Sequence, residues 1–558
     1  MNVHQKTAIF PRRGLLFALP LCLALSAVAP AQKPTAPPTA LAPSAAPSGC
    51  TLPAGPSHAD AKAPSKITPE QAQKLFALVD VLIKFSSDET GLPIKSSVKR
   101  QLTSRDEVEK YLEEKFNEDQ GTKRLQRDEI VLKKFGLLDR DFELKPFLLA
   151  LLKEQIEAYY DSKTKTVNML DWVGPDDEQP VLAHELTHAL QDQHSNLEKW
   201  NDQTPDDVST DSAGDNDHLA KDEMDTARDA VAEGQATVVM WDCELKPMGK
   251  SLIKDPEVLD LVKNQMSGAE DSPVMARAPL LLSESMLFPY REGMSFEQDV
   301  WMDQGQMAAF AGALDRPPTS SWEIINPREY EKRHIPAIPL LPNIHPLTDP
   351  TYKPYDIGQV GQLDVHILSE LLGSDNAARD LTPAWNGGLY WAGQLRSATT
   401  PAAQADTASI GLFYLSIWKN VDSAQVFARI YSNTLGRKYS HVGELSSGTS
   451  AASDGSVEHL FTTNEGPVLI TTRGKMVFIA ESFPLPLARQ LTALIFDAQG
   501  GGPMHMANAP LDLHTPPLSP DAPRGALTSD LVHFFAEAGV MKSVVDAERL
   551  ALQKSLAP

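Results

Sequence analysis

One short segment combines two histidines and a glutamate at a spacing that suits metal chemistry. His184, Glu185 and His188 lie within the run His-Glu-Leu-Thr-His. Residues four apart share one face of a helix, so both imidazoles can bind one ion while Glu185 reaches a water molecule on that ion. The spacing predicts a hydrolytic zinc site, with His184 and His188 as ligands and Glu185 as the general base. Coincidence is the alternative interpretation.

Catalytic zinc usually takes three protein ligands and keeps a fourth position for water, so a third ligand is required. The first candidate is Glu233. Ala230 and Ala236 lie three residues to either side of it, so its helix face is small and apolar, and a carboxylate buried there requires a cation. A salt bridge to Arg228 and a surface position are the alternatives. Asp229, one turn earlier, could orient a ligating histidine.

The second candidate for the third ligand is His194. It follows His184 by ten residues, which is the ligand spacing of the metzincins. That pattern has glycine three residues after the second histidine, where this chain has Gln191. If the helix continues, His194 points about 80° away from His184 and cannot share its ion. A metzincin-like peptidase with His194 as ligand stays open as an alternative.

The motif and its surroundings resemble the gluzincins, the zinc peptidases with a glutamate as third ligand. The run 184–193 (HELTHALQDQ), together with Glu-Gly-Gln-Ala at 233–236, is similar to that family, and more narrowly to a little-characterised set of exported bacterial zinc metallopeptidases. The similarity takes in residues 157–170, 288–296, 318–330 and 385–388 as well.

This resemblance implies a set of site residues. The two motif histidines and Glu233 would be ligands of Zn²⁺, and Glu185 the catalytic carboxylate. In two places the chain departs from the pattern, since Gly388 stands where an Asp is expected and Asn326 where a His is expected. The roles of those two positions therefore stay open.

The composition and the first residues of the chain indicate which partners to exclude and where the protein is located. The chain has 558 residues, 42% of them hydrophobic, which indicates a globular protein long enough for more than one domain. Its formal net charge of -23 repels nucleic acid and anionic lipid, which are therefore not expected as partners. Basic residues followed by the apolar run Leu15–Val28 predict a signal peptide over 1–31. We expect an exported protein, periplasmic or extracellular, without a membrane anchor after cleavage. A retained anchor is the alternative.

The predicted fold class is α+β. We expect a mainly helical, zincin-like peptidase domain with a small sheet or hairpin beside the motif helix, and a smaller α+β domain after it. The predicted boundaries are a signal peptide at 1–31, a disordered linker rich in Pro, Ala and Ser at 32–65, the metallopeptidase-like domain at 66–335, a Pro-rich connection at 336–356, the α+β domain at 357–498 and a Pro-rich tail with a short helix at 499–558.

Several elements are predicted around the motif. The runs Ile156–Tyr160 and Thr166–Leu170 predict a β-hairpin, and in zinc peptidases a strand beside the motif helix pairs with extended substrate. An ordinary sheet element is the alternative. A second helix is expected over Leu219–Met240. The polar stretch Asn196–His218 is interpreted as a solvated loop, with a structural calcium site as the alternative, and Phe296–Ala313 as a helix.

The function predicted from these observations is hydrolysis of peptide bonds in a peptide or protein substrate by zinc-activated water, with Glu185 as general base. The oxyanion that forms needs a further donor, and the candidates are Tyr159, Tyr160, Tyr290, Arg291 and His334. The alternative is a non-catalytic zinc-binding exported scaffold or surface-interaction protein. Glu185 argues against a scaffold, because a structural zinc ion has no use for that carboxylate.

Overall fold

The described part of the chain is an α+β structure in which helices surround two β-sheets. The computed structural model describes residues 66–118, 120–172, 179–201, 203, 209, 211–246, 249–266, 272–446, 455–499, 527–542 and 544–545. The predicted signal peptide and linker, and most of the predicted tail, lie outside the described residues. All described residues belong to the compact unit Lys62–Pro558. The boundary expected at 336–356 stays a prediction.

The first half of the described chain is mainly helical. Helix α1 begins after Thr68, because the side chains of Thr68 and Gln71 form a reciprocal capping box. The helices of this half are α1 Pro69–Thr90, α2 Arg105–Glu118, α3 Gln120–Phe135, α4 Leu144–Gln155, α5 Gln179–Ser195, α6 Leu197–Trp200, α7 Ser212–Lys221, α8 Met224–Leu245, α9 Pro256–Gln265, α10 Leu280–Gln304, α11 Ala313–Asp315, α12 Ser321–Ile325 and α13 Pro327–Glu331.

A small sheet accompanies these helices. Its strands from this half are β1 Lys99–Thr103, β2 Ile156–Asp161 and β3 Thr166–Leu170. Strands β2 and β3 form the predicted antiparallel hairpin, and β1 pairs with β3 in parallel. Strand β2 packs against α5, the helix that carries the motif. The hairpin therefore stands beside the motif helix.

The second half contains a seven-stranded antiparallel sheet, in the order β4-β5-β6-β10-β9-β8-β7. Its alternating apolar strands build one core with α20 and another with the helical half. The elements are α14 His345–Thr348, β4 Tyr352–Gln359, α15 Gln362–Leu372, α16 Asp375–Leu381, β5 Trp385–Leu395, α17 Pro401–Gln404, β6 Ile410–Trp418, α18 Val421–Asn433, α19 Leu435–Lys438, β7 Val442–Ser446, β8 Val457–Thr463, β9 Gly466–Arg473, β10 Met476–Glu481 and α20 Leu485–Ala498.

The end of the chain returns to the helical half. Helix α21, Ser529–Ala536, matches the late helix predicted from the sequence and packs on α8 and α10. Strand β11, Val540–Met541, then pairs antiparallel with β2, so the small sheet has the order β1-β3-β2-β11. Within the described ranges, no helix has the length and apolar character needed to cross a membrane.

Three expectations about elements were wrong. The single helix expected over Leu219–Met240 is two helices, α7 and α8, separated at Asp222 and Glu223. Much of the stretch read as a solvated loop is helical, because Asp211 caps α7 by accepting hydrogen bonds from two backbone amides. The helix expected over Phe296–Ala313 begins earlier and ends earlier, because α10 runs from Leu280 through Pro289 to Gln304.

Candidate metal centre

The motif lies on α5, a helix surrounded by protein. Every residue from Pro180 to Asp192 is buried, and the helix packs against α1, α8 and β2. A helix in that position is apolar on most of its surface, and the exceptions are the polar side chains of the motif together with Gln191 and Asp192. His184 and Glu185 have no exposed surface, and His188 is 8% exposed. Buried polar groups of this kind require partners.

Two glycines determine how closely α8 and α10 approach each other. A β-carbon on Gly234 would lie 2.3 Å from the carbonyl carbon of Gly293, and one on Gly293 would lie 2.0 Å from the carbonyl oxygen of Ala230. Only glycine permits backbones to cross at this separation. Glu233 precedes the first of these glycines and Tyr290 lies one turn before the second, so the crossing brings both side chains to the motif.

The structure brings together His184, His188 and Glu233. The Nε2 atoms of the two histidines are 3.0 Å apart. The carboxylate of Glu233 lies 3.1 Å from His184 Nε2 and 3.4 Å from His188 Nε2. One potential ligand atom from each residue lies within 4.8 Å of the other two. This buried group could hold a metal ion.

The charges of the three side chains are strongly coupled. Burial opposes ionisation of Glu233, but the positive charge of His188 and hydrogen bonds from both histidines overcome it and lower the Glu233 pKa to about 2. Burial also opposes protonation of His188, yet the carboxylates of Glu233 and Glu185 raise its pKa to about 9. Burial lowers the pKa of His184. The centre therefore attracts positive charge.

Gln191 determines which nitrogen of His188 faces the centre. The amide nitrogen of Gln191 donates to the carbonyl oxygen of Ala232 and to Gln235 Oε1, both at 2.9 Å. Its amide oxygen must then face His188 Nδ1, 2.9 Å away, and accepts a hydrogen bond from it. His188 Nε2 consequently faces His184 and Glu233, and it would present a lone pair to a cation that displaces its proton.

The separations are close to those around a zinc-sized ion, although two of them are shorter by a few tenths of an ångström. Tetrahedral zinc has bonds to nitrogen and oxygen of about 2.0–2.2 Å, which places two ligand atoms roughly 3.3–3.6 Å apart. The three observed separations are 3.0, 3.1 and 3.4 Å. Two imidazoles and one carboxylate are also the donor types that zinc prefers. A cation in this position would satisfy the lone pairs that converge on it.

Of the candidate hydrogen-bond donors to the oxyanion, Tyr290 lies at the centre. Its ring packs over that of His184, with centroids 6.2 Å apart and planes inclined by 29°. The hydroxyl donates to the carbonyl oxygen of Gly539 at 3.2 Å. Burial and the charges of Glu233 and Glu185 raise the pKa of Tyr290, so the hydroxyl keeps its proton and remains a donor.

The other oxyanion candidates are engaged elsewhere. Tyr159 stacks on the ring of Tyr111, and the Tyr160 hydroxyl donates to Asp192 at 2.8 Å. Arg291 forms ion pairs with Glu284 and Glu292, and His334 pairs with Glu329.

The alternative ligand, His194, and the alternative partner of Glu233, Arg228, are also engaged elsewhere. His194 pairs with Asp315 at 2.9 Å, so the structure does not bring it to His184 and His188. The guanidinium of Arg228 lies over the Trp200 ring and donates to the backbone carbonyl of Trp200, instead of pairing with Glu233.

Asp229 does not orient a motif histidine. It accepts hydrogen bonds from Asn201 and His533, at 3.1 and 3.0 Å. The orienting role belongs to Gln191, which the sequence interpretation treated only as a departure from the metzincin glycine. Its position three residues after His188 is the signal that could have found it, because such pairs are neighbours on a helix.

Comparisons with family models, curated proteins and solved structures find no match to this chain. The interpretation of the centre therefore depends on its residues and their geometry.

Proposed function

We propose that this chain is an exported, gluzincin-type zinc peptidase. The observation that carries the proposal is the convergence of His184, His188 and Glu233, from two separate helices, at separations of 3.0–3.4 Å in a buried centre. These three side chains would hold Zn²⁺, with Glu185 as the catalytic carboxylate. The predicted signal peptide supports export, and the expected substrate is a peptide or protein.

When bound, a zinc ion supplies a Lewis acid that acidifies water and polarises a carbonyl group. Glu185 follows His184 directly, and its charge contributes to the raised pKa values of His188 and Tyr290, which supports a role of this carboxylate at the centre. In the proposed reaction Glu185 takes a proton from the attacking water and gives it to the leaving amine. The Tyr290 hydroxyl donates a hydrogen bond to the oxygen of the carbonyl under attack.

The chain's own residues also prepare the centre before any substrate arrives. Gln191 keeps the Nε2 atom of His188 directed inward, and the glycine crossing of α8 and α10 keeps Glu233 and Tyr290 beside the histidines. Such preorganisation lowers the cost of reorganising the site during the reaction.

The test is hydrolysis of a broad peptide library, read by mass spectrometry, with the zinc-loaded mature chain. We expect Glu185→Gln to retain one zinc ion and to cleave about 10²–10⁴-fold more slowly, which is the usual contribution of general acid–base catalysis. The exposed Glu198 of α6 provides the matched control, and Glu198→Gln should cleave as the wild type does. Equal cleavage rates for Glu185→Gln and the wild type would refute the proposed function.

A further inference from the structure

The outer edge of β2 is covered by the end of the chain itself. Strand β2 has β3 on one side and β11 on the other, with Val540 opposite Ala158 and Met541 opposite Ile156. We call Leu527–Met541, which contains α21 and β11, the C-terminal segment. Without it, β2 would be an edge strand beside the motif helix, open to pairing with another extended chain.

Gly539 brings this segment into contact with the centre. Its carbonyl oxygen accepts the hydrogen bond of Tyr290, whose ring packs over His184. The backbone of Gly539 has φ +107°, and a β-carbon there would lie 2.2 Å from the carbonyl oxygen of Ala158. Any other residue at this position would be strained and would push the segment away from β2.

Helix α21 binds the segment to α8, the helix that carries Glu233. The hydroxyls of Ser529 and Thr226 are 2.6 Å apart, and His533 pairs with Asp229 at 3.0 Å. Asp229 lies one turn before Glu233, and Thr226 nearly two turns before it. The apolar side chains of the segment are buried in the core that the large sheet shares with the helical half. They are Leu527, Leu531, Val532, Phe535 and Ala538.

The covered centre has almost no access to solvent. His184, Glu185 and Tyr290 have no exposed surface, and Glu233 is 3% exposed. A peptide substrate must bring a carbonyl group to these side chains, and an extended peptide needs the free edge of a strand to pair with. The C-terminal segment covers that edge of β2, and its Gly539 carbonyl oxygen accepts the hydrogen bond of the Tyr290 hydroxyl.

We propose that the C-terminal segment is an intramolecular inhibitor that occupies the place of an extended substrate. This inference rests on the proposed peptidase function. The segment pairs antiparallel with β2, and the carbonyl of Gly539 takes the hydrogen bond that Tyr290 would give to the carbonyl of a substrate. Because the segment follows α5, α8 and α10 in the chain order, it can leave without interrupting these helices, which build the centre.

The test uses the full mature chain with one substitution, Gly539→Ala, and a matched control, Gly474→Ala. Gly474 also has a positive φ of +58°, but a β-carbon there meets nothing within 4 Å. Two quantities are measured: hydrogen exchange at the β2 amides that face β11, and the rate of peptide cleavage. We expect both to rise at least about tenfold in Gly539→Ala and to stay unchanged in Gly474→Ala, given the usual cost of a strained backbone.

A second form of the chain does not depend on the substitution. A cleavage site for a specific protease, placed between Gln499 and Leu527, allows the segment to be cut free of the folded chain. Cleavage of the peptide library should then rise, and a synthetic peptide of residues 527–545 should suppress it again. Loss of the fold after cutting, or cleavage no faster than before, would overturn the proposal.

The two readouts separate failure of the inhibitor from failure of the peptidase. If hydrogen exchange rises in Gly539→Ala while no form cleaves any peptide, the peptidase function is wrong and the C-terminal segment remains a displaceable cover. If all forms cleave peptides at one rate and exchange is unchanged, the inhibitor is wrong and the peptidase function stands.

Discussion

Replacing Gln191 by leucine should weaken zinc binding without removing a ligand. In the structure Gln191 accepts a hydrogen bond from His188 Nδ1 and donates to Ala232 and Gln235. Leucine leaves the ring free to turn and to exchange tautomers, so the Nε2 lone pair is no longer held towards the centre. Loss of such an orienting partner typically lowers metal affinity by about 10–100-fold, which corresponds to roughly 1.4–2.8 kcal/mol.

The same substitution has a cost for folding that can be estimated separately. It leaves the Nδ1–H of His188 and the Oε1 of Gln235 without the partner that Gln191 provides. Gln235 cannot turn its amide to compensate, because its Nε2 donates to the carbonyl oxygens of Ala309 and Phe310 at 3.0 Å. At about 1–3 kcal/mol for each buried group left unpaired, the zinc-free chain should lose roughly 2–6 kcal/mol of stability.

Gln191→Glu is the comparison variant, because it should change the stability of the chain but not the orientation of the His188 ring. The carboxylate can still accept from His188 Nδ1, but it faces two acceptors, Ala232 O and Gln235 Oε1, where the amide donated. Stability should therefore fall as in Gln191→Leu, while zinc affinity stays close to that of the wild type. Affinity is measured by competition with a chromophoric chelator, and stability by urea unfolding of the zinc-free chain. Wild-type zinc affinity in Gln191→Leu would refute the reasoning.

Three further substitutions test other parts of the account. Glu233→Ala should reduce bound zinc from about one ion per chain to a small fraction, measured by atomic emission, because two ligands rarely hold catalytic zinc; full zinc content would contradict the ligand set. Burial, with the charge of Asp364 as a further cause, raises the pKa of Glu223 from 4.5 to about 8, so folding takes up a proton and stability falls as pH rises between those values. Glu223→Gln should match the wild type near pH 4.5 and exceed it by about 3 kcal/mol at pH 7 in urea unfolding, and equal stability at both pH values would show that the buried charge has no cost. Gly234→Ala should separate α8 from α10, since its β-carbon would overlap the backbone of Gly293, and should lower the free energy of unfolding by about 1–3 kcal/mol or more; an unchanged melting temperature would show that the crossing is not tight.

The elements that could be predicted from the sequence are those with local signals. The motif helix, the hairpin before it and the late helix at Ser529 each have periodicity or turn residues of their own, and the structure contains all three. The position of Glu233 could be predicted in part, because its small apolar neighbours favour a buried carboxylate, and the structure buries it 3.1 Å from His184 Nε2.

The features that could not be predicted depend on contacts between distant parts of the chain. The break between α7 and α8 occurs where Asp222 accepts from the backbone of Gln359 and Glu223 accepts from Ser321, and neither contact has a local signature. Pro289 suggests a helix boundary, but packing on α8 keeps α10 continuous through it. Strand β11 is only two residues long and exists because β2 offers it an edge.

The central claim is that His184, His188 and Glu233 hold one zinc ion. The most direct measurement is anomalous diffraction at the zinc edge from crystals of the zinc-loaded mature chain. We expect one strong peak about 2.0–2.2 Å from Nε2 of both histidines and from a carboxylate oxygen of Glu233. Zinc located elsewhere, or these three side chains in mutual hydrogen bonds with no peak between them, would contradict it.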